Sequence, residues 1–165
     1  MILAAELAAL DTSIDEDEWL ARGEVYAAEL LDVHEEMEEL FAAIPDDGRK
    51  IVTNHEALGY LAARYDFEVL GTVVPGSSTQ AETDPRSFAE LIETVEDAGV
   101  SVVFAENTDS IVLAEQLAGE VVGRTDVEIE VVPIYTDALG EEGSGAETYL
   151  GLLRTDAQLI ADALS

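Results

Sequence analysis

The sequence predicts an α/β fold: a mostly parallel sheet of about four strands with helices on both faces, preceded by a long linking helix. After Pro45, short apolar runs alternate with segments of helical periodicity, a pattern typical of repeated βα units. Before Pro45, apolar residues recur at steps of three and four, as one helix face requires. We therefore predict an N-terminal helical segment at 1–45 and an α/β lobe at 46–165.

The N-terminal segment begins with a short predicted helix over Met1–Ala9. A longer helix follows Asp15 and continues to about Ala43, and at roughly 1.5 Å per residue it would be about 40 Å long. His34 lies beside its apolar face, so we interpret His34 as a partly buried helix residue rather than a ligand. The predicted apolar face consists of Trp19, Gly23, Tyr26, Leu30, Val33, Met37, Phe41 and Ile44.

The remaining elements alternate along the chain. The predicted strands are Lys50–Thr53, Phe67–Thr72, Val100–Ala105 and Val127–Pro133. The predicted helices are 56–65, 85–98, 109–118 and 146–164, the last burying Tyr149, Leu153, Ile160 and Leu164. Between them, the polar loop Pro75–Thr79 could hold an anion with backbone amides, although it lacks the glycine spacing of phosphate-binding loops.

Charge limits the function classes. The chain has 37 acidic residues against 7 basic ones, a formal net charge of -30. Nucleic acid and anionic membrane surfaces are disfavoured as partners, because both require a basic surface. There are no cysteines, so disulfides and thiolate metal sites are excluded. No apolar run approaches the roughly 20 residues of a membrane span, and Met1–Leu10 does not have the pattern of a signal peptide.

Polar residues follow three of the predicted strands. His55 follows the first, Glu106 the third, and Asp137 the fourth. The carboxyl ends of parallel strands share one edge of a sheet, where ligands commonly bind. Imidazole and carboxylates there suit Zn²⁺ or Mn²⁺. Two alternatives remain: these residues could cap helices and turns, or they could be acid–base groups of a small α/β enzyme of hydrolase type.

Three segments resemble the C-terminal half of the zinc- and manganese-specific solute-binding proteins of ABC importers. They are "FAAIPDDGRKIVTNHEALGYLAARYDFEVLGTVVPGSSTQ", "LIETVEDAGVSVVFAENTDS" and "PIYTDALGEEGSGAETYLGLLRTDAQLIADAL". The resemblance extends from about Tyr26 to Leu164. It implies a metal-binding receptor, not an enzyme, with two α/β lobes joined by one long helix. Such receptors work outside the cytoplasmic membrane and deliver the metal to a membrane permease.

The resemblance also implies roles for single residues. His55 and Asp137 match the metal ligands of the C-terminal lobe, and Glu106 matches an acidic residue near the site that orients a ligand without binding the ion itself. Histidine at position 55 favours zinc, with manganese possible. The family takes two further histidine ligands from an N-terminal lobe, which this sequence lacks. The ligand set is therefore incomplete, which leaves a stand-alone interaction module as an alternative and self-association through the uncovered face as a possibility.

We hypothesise a halophilic source, because the acidic residues are spread along nearly every helix. At molar salt the repulsion among them is screened, which stabilises the compact state. The melting temperature should therefore rise between low and molar sodium chloride, as measured by circular dichroism. A melting temperature that is flat or falls over this range would contradict the hypothesis.

Overall fold

The structure is a computed structural model that describes residues 2–74, 84–106, 111–125 and 127–165. The predicted anion loop, Pro75–Thr79, lies outside these residues. The chain divides into two compact units, Met1–Glu39 and Leu40–Ser165. In the described ranges, no helix is long and apolar enough to cross a membrane.

The first unit is helical. Helix α1 spans Ile2–Leu10, and helix α2 spans Glu16–Ala42, so its last residues belong to the second unit. The backbone N–H of Asp17 donates to the Asp15 carboxylate at 2.9 Å, and three acids in the first turn of α2 favour the positive end of its dipole. The predicted long helix is confirmed. The apolar face is buried from Val33 onward, whereas Tyr26 is exposed.

The second unit contains the predicted sheet. Its four strands are all parallel and lie in the order β2-β1-β3-β4. The strands are β1 Lys50–Thr53, β2 Glu68–Thr72, β3 Val102–Glu106 and β4 Glu130–Ile134. The helices of this unit, besides the end of α2 and a 3₁₀ turn at Asp46–Gly48, are α3 Gly59–Tyr65, α4 Pro85–Ala98, α5 Val112–Thr125 and α6 Tyr149–Leu164.

Both faces of the sheet are buried. Alternate side chains of β1 and β3, including Val52 and Val103, form one core with α4 and α5. The helices contribute Leu91, Ile92, Val95, Ala114, Leu117 and Val121 to this core. Ile51, Phe104 and Ile134 point to the other side and are also fully buried. Strand β3 is buried at every position, as a central strand of a parallel sheet should be.

Several predicted boundaries were wrong because local caps and turns set them. Helix α3 begins at Gly59 rather than at residue 56, since the carbonyl of His55 accepts bonds from Thr53 Oγ1 and the Ala57 N–H in a turn. Helix α6 begins at Tyr149 rather than at residue 146, because Thr148 caps it.

The later start of α6 accompanies a different buried face. Tyr149 is exposed and Leu152, rather than Leu153, is buried, while Ile160 is buried as predicted. Helix α5 continues to Thr125 rather than ending at residue 118, because apolar residues such as Val121 keep its core-facing side buried.

Arg49 donates hydrogen bonds to backbone carbonyls that the ends of two helices leave unpaired. Its guanidinium donates to the carbonyls of Phe41 at 2.9 Å, Ile44 at 3.3 Å and Tyr65 at 3.3 Å. These carbonyls lie at or beyond the C-terminal ends of α2 and α3, where the last turn has no partner inside the helix. A planar guanidinium can serve several acceptors at once, which a lysine ammonium at this site cannot reproduce.

Arg49→Lys should therefore lower the free energy of unfolding by about 2 kcal/mol, since bonds to partly buried carbonyls are lost. For a chain of this size we expect a fall in melting temperature of about 5 °C. The matched control is Arg86→Lys on the exposed surface of α4, where the side chain is 83% exposed and pairs with Glu90. Equal melting temperatures for the two variants would contradict this role of Arg49.

Candidate metal centre

The site lies at the carboxyl edge of the sheet, and strand register assembles it. Thr53 pairs with Phe104, so His55, two residues further, arrives beside Glu106 at the end of β3. Glu106 in turn pairs with Ile134, which brings the residues after β4 to the same edge. One ligand atom each of His55, Glu106 and Asp137 lies within 4.8 Å of the others. The structure thus brings together all three residues that the sequence singled out.

His55 is buried between the two carboxylates. Its side chain is 3% exposed, and Nδ1 contacts Oε1 of Glu106 without the alignment of a good hydrogen bond. A carboxylate oxygen offers only lone pairs, so we assign the ring proton to Nδ1, on the side of Glu106. The lone pair of a neutral ring is then on Nε2, which faces Oδ2 of Asp137 at 3.5 Å.

Glu106 is fully buried, and both of its oxygens are engaged. Thr136 Oγ1 donates to Oε2 at 2.8 Å, and Asn54 Nδ2 donates to Oε1 at 3.3 Å. Asn54 also accepts the Glu106 backbone N–H through Oδ1 at 3.2 Å. These donors satisfy the carboxylate oxygens of a side chain that is fully buried. With its oxygens occupied in this way, Glu106 is suited to orienting the His55 ring.

The pair of His55 and Asp137 fits a metal ion. Two ligand atoms that each lie about 2.1 Å from a tetrahedral ion are about 3.4 Å apart. The separation of Nε2 and Oδ2 is 3.5 Å, which matches this spacing. The Asp137 side chain is 59% exposed, so the position between the two atoms opens towards the surface.

The other histidine lies elsewhere. His34 is on α2 in the first unit, with its side chain 23% exposed and Nε2 lying 3.4 Å from Oε1 of Glu38. It is partly buried, as predicted, and the cluster of possible ligands found in the described ranges does not include it.

Comparison with known proteins identifies the family. Residues 2–163 match the family model described as zinc-uptake complex component A, periplasmic. The chain belongs to this family. The resemblance that the three sequence segments predicted is thereby confirmed, and the family consists of receptors for metal transport.

The similar proteins include receptors named for different metals. A manganese-binding lipoprotein MntA of Halalkalibacterium halodurans is 27% identical over 89% of this chain and 47% of its own length. The zinc-binding protein TroA of Treponema pallidum is 29% identical over 74% of this chain and 39% of its own length. A solved structure of periplasmic TroA has the same fold, with a TM-score of 0.90 at 24% identity over 99% of this chain and 58% of that one. The chain therefore spans less than half of the full lengths of MntA and TroA.

Within this family fold, the segment after β4 is anchored to α6. Oδ1 of Asp156 accepts the backbone N–H of Tyr135 at 2.9 Å, two residues before Asp137. Asp156 is 4% exposed. Burial raises the pKa of its carboxyl to about 7, against a smaller lowering by the bond from Tyr135.

The loop that follows packs on the start of α6. A Cβ added at Gly151 would overlap the carbonyl oxygen of Gly145, so the loop backbone lies directly against the first turn of the helix. The backbone N–H groups of Glu147 itself and of Gly143 lower the pKa of the Glu147 carboxyl. Hydrogen bonds within the loop, such as that from the Gly143 N–H to the Glu147 carboxylate, thus stabilise its conformation.

Sequence reasoning missed three residues that support the site. Asn54 and Thr136 stood next to the candidates, and the alternation of strand residues could have indicated that they share an edge. Asp156 gave a weaker signal. It is an acid on the buried face of α6, flanked by the buried residues Leu152 and Ile160, where a charge is costly without a partner.

The raised pKa of Asp156 makes stability depend on pH. Between about pH 4 and 7 the folded state holds a proton that the unfolded state has lost, so stability falls as pH rises through this range. Asp156→Asn keeps an oxygen acceptor for Tyr135 but never ionises. At pH 8 it should raise the free energy of unfolding by at most about 4 kcal/mol, and the melting temperature should rise with it.

This gain from Asp156→Asn should shrink as pH is lowered from 8 towards 4, which paired thermal melts of the two proteins would measure. The control is Asp162→Asn, an exposed acid on the same helix. A gain for Asp156→Asn that is equal at both ends of the pH range would contradict the assignment.

Proposed function

We propose that this chain is the metal-binding lobe of a solute-binding protein of an ABC importer. Nε2 of His55 and a carboxylate oxygen of Asp137 bind the ion, and Glu106 orients the imidazole from behind. The observation that carries the proposal is the 3.5 Å approach of these two ligand atoms at an open edge of the sheet. Family membership over residues 2–163 supports it independently.

Zinc is the favoured ion in this proposal, and manganese is the second choice. A neutral imidazole nitrogen suits zinc better than it suits manganese, which prefers oxygen ligands. Similar proteins are named for either metal, so the ligand chemistry of His55 decides the preference. A zinc site usually has three or four protein ligands. We propose that the rest of the coordination comes from water, a second lobe or a second copy of the chain.

The setting of the site favours capture and release over catalysis. Asp137 is largely exposed whereas His55 is buried, so an ion can reach the ligands from solvent while the ring stays fixed. An enclosed pocket around the three groups would instead support the alternative of a small enzyme. As in the relatives with periplasmic or lipoprotein names, we propose an extracytoplasmic location and delivery of the metal to a membrane permease.

Zinc titration by calorimetry in molar salt tests the proposal. The unmodified protein should bind one zinc ion saturably, and affinity should fall as pH is lowered from 8 to 5, because protons compete for the ligand atoms. His55→Ala should weaken binding by more than the roughly 10–100-fold that loss of an outer partner costs. His34→Ala, which removes the other histidine, is the matched control and should leave affinity unchanged.

Weak heats that are equal for the unmodified protein and both variants would overturn the proposal. Only diffuse attraction of cations to the acidic surface would then remain. In that case an intact fold without a metal response would favour the alternative, a stand-alone interaction module.

A further inference from the structure

The backbone that carries Asp137 is held outside the metal site by helix α6. Tyr135, Thr136 and Asp137 follow each other after β4, and each meets a different partner. The side chains of Thr136 and Asp137 turn to the site itself, to Glu106 at 2.8 Å and to His55 at 3.5 Å. The backbone N–H of Tyr135 instead donates to Asp156 at 2.9 Å, a residue 21 positions later on α6.

The hydrogen bond from Tyr135 to Asp156 lies close enough to Asp137 along the chain to affect the position of its carboxylate. Tyr135 is two residues from Asp137, so a shift of its peptide group moves the ligand carboxylate. The Asp137 side chain is 59% exposed and has little packing of its own to hold it. Asp156, in contrast, is 4% exposed and sits between buried residues of α6. The buried carboxylate of Asp156 thus fixes the backbone next to the exposed side chain of Asp137.

Helix α6 holds the far end of the same loop as well. The carbonyl of Gly145 lies so close to Gly151 that a Cβ there would overlap it. Gly140 packs tightly against Tyr135 and Ala146, and its N–H donates to the Ala146 carbonyl at 2.8 Å. The segment from Tyr135 to Gly145 is therefore fixed to α6 at both ends, with the ligand between the two anchors.

We propose that Asp156 is a positioning residue of the metal site. By accepting the Tyr135 N–H it fixes the peptide from which Asp137 projects, and so keeps Oδ2 of Asp137 at the distance from His55 Nε2 that a shared ion requires. The inference rests on the proposed metal-binding function. It adds a residue that does not touch the ion and acts through the backbone of its neighbour.

The test is zinc affinity measured by calorimetry in molar salt for Asp156→Ala and Asp156→Asn. The alanine variant should bind zinc about tenfold more weakly or worse, the effect typical of partners outside the ligand shell. The asparagine variant keeps an acceptor oxygen for Tyr135 and should restore affinity to within about twofold of the unmodified protein. Asp162→Ala, an exposed acid on the same helix, controls for loss of charge.

A second control separates positioning from general stability. Val121 is buried in the core formed by α4 and α5. Val121→Ala should lower the melting temperature while leaving zinc affinity unchanged. If Asp156→Ala does not fold, Asp156→Ser takes its place, since serine is polar but shorter than aspartate, and the same weakening is expected.

The outcomes distinguish the two proposals. If the unmodified protein binds zinc, His55→Ala abolishes binding and Asp156→Ala does not change it, metal binding stands and the positioning role fails. The positioning role also fails if Val121→Ala weakens binding as much as Asp156→Ala does, or if the asparagine variant gives no rescue. If the unmodified protein shows no saturable binding, the failure lies with the metal-binding function.

Discussion

The contact between His55 and Glu106 is the interaction on which the arrangement of the site depends. A carboxylate that is fully buried is costly unless donors surround it, and here they come from the ends of two other strands. Asn54 donates from the end of β1, where His55 also lies against Glu106, and Thr136 donates from the end of β4. Because buried Glu106 needs these partners, the ends of three neighbouring strands are held close together. The register of the sheet therefore determines the geometry of the site.

The site combines a rigid half and an accessible half. His55 cannot turn freely, since it is buried and its Nδ1 lies against Glu106, so the Nε2 lone pair has a fixed direction. Asp137 is exposed on the loop after β4 and can meet an ion from solvent. A fixed nitrogen preorganises binding, because little ordering of that ligand remains to be done. In the role we propose, an exposed oxygen ligand leaves a route for the ion to depart, which a transport receptor needs and a structural metal site does not.

Features set by repeated sequence patterns could be predicted, whereas features set by single turns or by contacts between distant residues could not. The strands and the meeting of His55, Glu106 and Asp137 were predictable, since apolar runs mark buried parallel strands and all such strands end at one edge. The start of α3 was missed because a turn centred on the His55 carbonyl replaces the first helical turn. The partnership of Asp156 with Tyr135 joins residues 21 positions apart, and no local pattern indicates it.

The acidic surface and the built site act on a metal ion in different ways. Thirty-seven acidic residues attract any cation, but this attraction does not distinguish zinc from calcium or magnesium, which prefer oxygen ligands. At molar salt it is also screened beyond about 3 Å. Selectivity in such conditions must come from a nitrogen ligand in fixed geometry. The second unit contains one histidine, His55, so in the site we propose the choice of metal depends on that single ring and on the residues that hold it and its partner in place.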